Sequence, residues 1–351
     1  MSSDDPHANT DAACPTPLAR AVRRLAFGGV VVGYLGFGLV TLYRADPSDG
    51  MGGGETLLAW LSLLGTTFLP HASVGLVVGL VVCALLRARA ALLAGVPLLA
   101  MSAGPWLVSF APAPAAEVAS ADGSILVMSA NLLGTSRSDE EVLAQIDAHE
   151  PDVIVFQEVR PGSLARLTSA LGDRYGSAGA PREHLFGAAT FSRLPFSREA
   201  EVVMPGDGSD LPQLMSWVDW GGQELCVWNI HLHSPVGRSQ VAGQARLSWE
   251  MGHTLDSRAA EGVPTIVAGD FNSPWRAMPL DVLRERGYRE AHRVAGTGPG
   301  ATWPARGLLS LPPGIRIDHA AFSPGLVCVE AWVGEATSSD HRPIFARFVR
   351  E

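Results

Sequence analysis

Apolar positions divide the chain into two unequal parts. From Leu25 to Tyr43 nearly every residue is apolar or glycine, enough to cross a bilayer at about 1.5 Å per residue. A second apolar block, Leu57 to Leu86, is interrupted by Pro70-His71. It is too long for one straight span, so the pattern predicts an interfacial part ending at Leu69 and a span over 72–86. A third span, 90–110, follows the short turn Arg87-Ala88-Arg89. Residues 1–20 are polar and without pattern, which predicts a disordered cytoplasmic tail. The long polar lead-in, with no small-x-small motif before Arg44, argues against a removable signal peptide. Ala-Pro-Ala-Pro from Ala111 opens a tether. The expected organisation is a transmembrane region at 21–112, a linker at 113–123 and a soluble domain at 124–351.

In the soluble part the apolar runs become short and stop abruptly at polar residues. Ile125 to Ala130 reads as a strand ending at Asn131, and Asp152 to Phe156 as a fully apolar strand ending at Gln157-Glu158. Ala188 to Phe191 is another. Gln213–Trp220 and Glu224–Ile230, joined by Gly221-Gly222, read as a hairpin whose second strand ends at His231-Leu232-His233. The β-branched run through Val267 stops at Gly269-Asp270-Phe271-Asn272, where glycine is expected to let the backbone turn and place Asp270 and Asn272 on one side of a cleft. Arg316-Ile317-Asp318-His319 opens a strand through Phe322. Strands over 327–333 and 344–349 close the chain, the last preceded by Ser339-Asp340-His341. Helices are expected over 139–149, with Ser138 and Glu141 as a capping box, from Pro161, and over 238–255 and 278–286; 296–314 is expected to be loop. Many short strands with few helices between them predict a two-sheet α/β layer structure and no regular βαβ barrel.

Composition sharpens the membrane assignment. Hydrophobic residues make up 47% of the chain and mean hydropathy is +0.18, more apolar than an ordinary soluble protein. The net charge of −9 argues against a broad nucleic-acid surface and leaves room for a locally positive cleft. Every basic side chain is arginine, which excludes a Walker-type P-loop and Schiff-base chemistry. Four scattered cysteines carry no CxxC pair, so a zinc site is not expected; Cys226 and Cys328 read as buried strand residues, with a bridge between them left open. Arg20, Arg23 and Arg24 precede the first span and Arg87 and Arg89 separate the last two. By the positive-inside rule these ends are cytoplasmic and everything after Phe110 is extracytoplasmic.

The chemistry lies at the strand ends: Asn131, Glu158, His231, Asp270, Asn272, Asp318, Asp340 and His341. Taken singly, each has a structural explanation. Together, at corresponding strand ends, they suit phosphoryl chemistry. Glu158 and Asp340 offer hard oxygen ligands, suited to Mg²⁺ or Mn²⁺ and not zinc. His341 can activate a water if a carboxylate fixes its tautomer, and Asp318 is the candidate for that. Asp270, Asn272 and His231 would hold the phosphate, with Asp270 also able to handle a proton. His233 reads as structural.

The set Asn131, Gln157-Glu158, His231-Leu232, Gly269-Asp270-Phe271-Asn272, Arg316-Ile317-Asp318 and Ser339-Asp340-His341, in this order and spacing over 124–351, resembles the endonuclease/exonuclease/phosphatase superfamily. The resemblance implies a four-layer αββα sandwich (DNase I-like) and divalent-metal-dependent phosphoester hydrolysis. It also implies metal binding through Glu158 with help from Asn131 and Asp340, an Asp318–His341 pair for the water, and phosphate contacts from His231 and Asn272. The preceding spans resemble membrane-anchored bacterial members, which implies a multi-pass protein of the bacterial inner membrane.

Substrate class stays open at this level. A domain outside the cytoplasm would meet extracellular nucleic acid or a phospholipid headgroup more readily than the genome. No aromatic hairpin of a lipid-inserting kind is evident, although Trp303 to Leu311 is apolar enough to be a weak candidate for one. The bilayer is an expected partner, and no protein partner is evident. The alternative is a membrane-tethered binding or sensory module of the same fold without turnover, motivated by a membrane region that catalysis does not require.

Overall fold

The computed structural model describes residues 16–43, 51–111 and 123–351. Its first part is three long helices, α1 (Pro17–Leu42), α2 (Gly53–Leu85) and α3 (Arg89–Val108), each long and apolar enough to cross a membrane. Two expectations are corrected here. α1 begins inside the stretch expected to be disordered, because the Thr16 side chain accepts from the Ala19 amide and Pro17 supplies a preset φ at the first helical position; residues 1–15 of that stretch, and most of the linker, lie outside the described residues. α2 runs unbroken through Pro70, where an interfacial segment was expected to part from a span. A helix packed on both sides tolerates an interior proline: Thr66 and Ser73 hydroxyls bond carbonyls a turn earlier, and Ser73 also meets Ser102 of α3.

From residue 125 the chain reads β1 (Ile125–Asn131), α4 (Ser136–His149), β2 (Val153–Gln157), α5 (Pro161–Leu171), β3 (Gly176–Ala180) and β4 (Ala188–Ser192). Then come β5 (Glu201–Val203), β6 (Gln213–Asp219), β7 (Glu224–His231), α6 (Arg238–Ala259) and β8 (Thr265–Asp270). A short 3-10 turn leads to α7 (Asp281–Glu285), β9 (Arg289–Glu290), α8 (Ala291–Ala295), β10 (Asp318–Phe322), β11 (Leu326–Val333) and β12 (Ile344–Arg350). The strands form two six-stranded sheets, ordered β11-β12-β1-β2-β4-β3 and β5-β6-β7-β8-β10-β9.

Alternation along the central strands builds four layers. In β1, Ile125 and Val127 face the second sheet, meeting Val218, Val227 and Ile266, while Leu126 and Met128 face outward under Val142 and Ile146 of α4 and Leu167 of α5. In the second sheet, Trp228 and Val267 pack outward against Leu247, Met251 and Leu255 of α6. Both faces of each sheet are therefore covered, which is why the central strands read as continuous apolar runs. The result is the expected αββα sandwich.

Local differences have identifiable causes. α4 starts a turn earlier than expected: Thr135, not Ser138, caps it, and Glu141 is released to bind the amide and hydroxyl of Ser338, just before Asp340 and His341. β3 (sequence Gly-Ser-Ala-Gly-Ala), β5 and α8 carry too little apolar pattern to be read in advance. Gly269 makes no turn. It sits within β8 at φ 149°, and a Cβ there would lie 1.9 Å from the Ile230 carbonyl oxygen of β7. The turn comes instead at Asn272, φ 49°. Gly269→Ala should therefore cost about 1–3 kcal/mol or more, read by chemical denaturation, because the β7–β8 pair must separate to admit one methyl. Cys226 and Cys328 are unbridged and buried.

Candidate active site

Two parallel pairs, β1–β2 and β7–β8, sit at the centres of their sheets, so four carboxyl ends converge on one edge. Asn131 pairs with Gln157 there, and His231 with Asp270. The antiparallel neighbours reach the same edge with their beginnings: Asp318 opens β10 opposite Asp270, and His341 lies just before β12. Glu158 leaves β2 at φ 58° and Asn272 follows β8 at φ 49°, so both strands turn off through the left-handed region beside the cleft.

The side chains meet around Asp270. The Asn272 amide N–H donates to its Oδ1 at 2.8 Å, and Asn131 Nδ2 donates to its Oδ2 at 3.1 Å. The Nε2 atoms of His231 and His341 each lie 3.6 Å from that Oδ2. Asn131 Nδ2 also donates to Glu158 Oε1 at 3.0 Å. On the far side of His341, Nδ1 faces both oxygens of Asp318, at 2.9 and 3.1 Å. Asp318, Asp270, Asn131, Glu158, His231 and His341 are all buried. Asp340 alone is exposed, at the rim, where its Oδ2 accepts from the Trp303 indole at 3.1 Å. Asn272 Nδ2 is committed to the Leu232 carbonyl and to Asp270, which makes Asn272 a brace for that carboxylate as the site stands.

Burial and neighbouring charge set the proton affinities. Burial pushes the His341 imidazolium down, but the carboxylates of Asp318 and Asp270 outweigh it and hold its pKa up at about 10. For Asp318 burial opposes ionisation, and His341 overrides it, leaving the carboxyl below its ordinary value. Asp270 is pushed up to about 7, chiefly by burial. Burial, reinforced by the charge on His341, drops His231 to about 3, so it is neutral. Glu158 is raised, again by burial.

The donor set fits a divalent cation at Glu158. Its Oε2 is buried with no hydrogen-bond partner, a costly condition for a carboxylate oxygen unless a cation completes it. Among the described residues Asp270, Asp318 and His341 also bring one potential ligand atom each within 4.8 Å of one another. In that trio, however, Asp318 and the His341 Nδ1 already satisfy one another.

Several residues, Ser339 of the recognised motif among them, position the site in roles that the sequence did not assign. The Thr302 hydroxyl accepts from the Ile317 and Asp318 amides, and Ser339 Oγ donates to the Asn131 carbonyl and accepts from the His341 amide. The Gln213 side-chain amide clasps both the N–H and C=O of His231. Gln157, part of the recognised motif, bridges the sheets to Asn229 at 2.7 Å. Arg316, in the motif with Asp318, pairs instead with buried Glu290. His319 is structural, bonded to the Ser273 carbonyl, and His233 packs against Phe186. Only their nearness to the strand-end motifs could have signalled these roles.

Two mixed sheets between helices, with acid, amide and imidazole groups gathered at one sheet edge, define a phosphoester hydrolase scaffold. The chain belongs to the Endonuclease/Exonuclease/phosphatase family, whose model matches residues 128–341; members of that family are phosphoester hydrolases that use a divalent metal. No curated protein sequence matches the chain. Among solved structures it is similar to humanized D. rerio TDP2, with 18% identity, a TM-score of 0.54 and coverage of 65% of this chain and 99% of that one. An endonuclease/exonuclease/phosphatase from Beutenbergia cavernae has 24% identity and a TM-score of 0.53, covering 65% and 72%. The Bacteroides thetaiotaomicron mannosyl-6-phosphatase has 21% identity and a TM-score of 0.50, covering 64% and 99%. At these identities the likeness is one of fold.

Proposed function

We propose that this protein is a membrane-anchored, divalent-metal-dependent phosphoesterase that hydrolyses a phosphodiester, of nucleic acid or of a phospholipid headgroup, by in-line attack of water. The observation that carries the reading is the buried Asp318–His341 pair facing Asp270, next to the unpartnered oxygen of Glu158. Glu158, with Asn131 and Asp340, would hold Mg²⁺ or Mn²⁺. Such an ion, when bound, neutralises charge on a nonbridging phosphate oxygen.

The chain's own residues account for the proton and the phosphate. Asp318 fixes the His341 ring, with Nδ1 toward itself and Nε2 toward the cleft. Asp318 and Asp270 flank His341 and raise its proton affinity, so the imidazole and Asp270 are placed to handle the proton of the attacking water as a pair. His231, neutral, lends its ring to the phosphate, and Asn131 and Asn272 keep Asp270 in place. The catalytic domain is assigned to the extracytoplasmic side. Supporting this, Arg23, Arg87 and Arg89 line one end of the helix bundle, and the domain docks at the other.

The test uses the full chain in nanodiscs with Mg²⁺ or Mn²⁺, offered DNA, RNA, sphingomyelin, phosphatidylinositol phosphates and an aryl phosphodiester. Metal-dependent cleavage is expected, with Mn²⁺ binding, read by calorimetry, weakened at least about tenfold in Glu158→Gln. Metal binding without cleavage of any ester would favour the non-catalytic tethered module.

A further inference from the structure

We infer that the mouth of this site faces the bilayer and that the loop closed by Trp303 and Ile315 inserts into it, so that the substrate is a membrane lipid bearing a phosphoester headgroup. The inference rests on the hydrolase reading above and names its substrate class.

Two loops flank the mouth, and each is tied to a membrane helix by an indole. Just beyond His231 and His233, the Pro235 carbonyl accepts from Trp60 of α2 at 3.0 Å; beyond Trp303, the Pro313 carbonyl accepts from Trp106 of α3 at 3.2 Å. Further contacts fix the arrangement. Ala59 and Leu63 of α2 are buried against Val241 and Ala277, and the Gly298 amide donates to the Ser109 carbonyl at the end of α3. The catalytic domain is thus seated on the helix bundle with the site's two rims on the membrane side.

Depth follows from helix length. Arg89 begins α3 at the arginine-bearing end, and Trp106 lies about 26 Å along it at about 1.5 Å per residue. A hydrocarbon core is about 30 Å thick, so the Trp106 indole, and the Pro313 carbonyl bonded to it, lie at or within the far boundary of the core. The loop carries Leu308, Leu309 and Leu311 within five residues of Pro313, 86%, 40% and 58% exposed to solvent. Across the mouth Val236, next to Pro235, is 76% exposed. Leucines so exposed on a loop held at the bilayer boundary are covered by lipid, and the bilayer already contacted by α3 is the occupant adjacent to them.

The same loop is stitched into the catalytic site. Trp303 and Ile315 bond across its neck, the Trp303 indole holds Asp340, and the Ala305 amide donates to the Asp340 carbonyl at 2.7 Å. A headgroup in the leaflet beside Leu308 therefore has a short path, past Trp303 and Asp340, to His341. A nucleic acid would have to enter between this loop and the bilayer surface, with an acidic chain and no lysine to attract it.

The full chain in phosphatidylcholine/phosphatidylglycerol nanodiscs with Mn²⁺ would be given sphingomyelin or a phosphatidylinositol phosphate in the disc, a DNA oligonucleotide, and a water-soluble aryl phosphodiester. The expected result is cleavage of a disc lipid. The double variant Leu308→Asp, Leu311→Asp should lower that rate about tenfold or more and leave the aryl ester rate unchanged. Independently, an NBD label on Leu308→Cys, in a Cys14→Ser background because the other cysteines are buried, should be blue-shifted and quenched by doxyl lipids. A label that stays in water, cleavage of DNA but no disc lipid, or equal slowing of lipid and aryl ester by the double variant would overturn the inference. Failure of the wild type on the aryl ester and every other ester would instead sink the hydrolase reading, while the label would still report the depth of the loop.

Discussion

His341→Ala should lower kcat by about 10²–10⁴-fold with KM little changed, the loss expected when a positioned proton-transfer group is removed. The side chain reaches both halves of the proposed proton-handling unit, with Nδ1 on Asp318 and Nε2 3.6 Å from Asp270. Removing it cuts Asp270 off from Asp318 and leaves two buried carboxylates without the charge that offsets them. Asp318→Asn should lose turnover on a similar scale, because an amide can donate to Nδ1 and turn the ring to the wrong tautomer. Steady-state rates on an aryl phosphodiester check both, and a melting temperature near that of the wild type separates catalysis from folding. Retention of more than about a tenth of the wild-type rate in His341→Ala would remove His341 from the chemistry.

Arg316→Ala should destabilise the catalytic domain by about 3–5 kcal/mol, the usual cost of breaking a buried ion pair from one side. Glu290 has almost no solvent exposure. Its Oε1 takes two guanidinium contacts from Arg316, at 2.9 and 3.3 Å, and its Oε2 accepts the Arg293 amide at 2.8 Å. Arg316 also holds the Gly300 carbonyl at 2.8 Å. Without it, Glu290 is left charged and buried, and the strand that presents Asp318 loses its anchor two residues away. Arg316→Lys should recover only part of the loss, since one ammonium cannot reproduce the fork. Urea unfolding followed by tryptophan fluorescence reads both.

The same pair shapes the response to acid. Burial works against the Glu290 carboxylate, but Arg316 outweighs it and the carboxyl is held below its ordinary value. A carboxyl with a depressed folded pKa contributes stability that is complete above its unfolded value, about 4.3, and is lost as pH falls toward the folded one. His292 and His231 act earlier: burial lowers them to about 4 and about 3, so stability falls as pH drops from about 6.5, a fall that Asp270, raised to about 7, partly offsets. Wild-type stability should therefore decline in two stages on acidification. Arg316→Ala, with the Glu290 pKa no longer held down, should lose the Glu290 share of the lower stage and keep that of Asp318, whose carboxyl His341 holds down.

Much of the fold and the site could be read from sequence. Stretches such as Val153–Phe156 and Thr265–Ala268 are apolar on both faces, and a strand covered on both sides needs that composition. Abrupt polar ends marked Asn131, Glu158, His231 and Asp270, and polar starts marked Asp318 and His341, because a polar side chain at the edge of a buried strand must be satisfied by something local. The length and apolarity of the helices at Pro17–Leu42, Gly53–Leu85 and Arg89–Val108 were equally legible.

What sequence could not supply are interactions whose two partners lie far apart in the chain. Whether Pro70 broke a helix depended on neighbours that pack and bond the turn around it, and α3 lies beyond it in sequence. Whether Gly269 turned the chain or admitted a neighbouring strand depended on the Ile230 carbonyl. That Arg316 serves Glu290, that Glu141 holds Ser338, and that the Trp60 and Trp106 indoles of the N-terminal helices bond the Pro235 and Pro313 carbonyls were likewise decided only in three dimensions. A residue's own periodicity determines which face it occupies; what that face meets is set by the packing of elements that share no local signal.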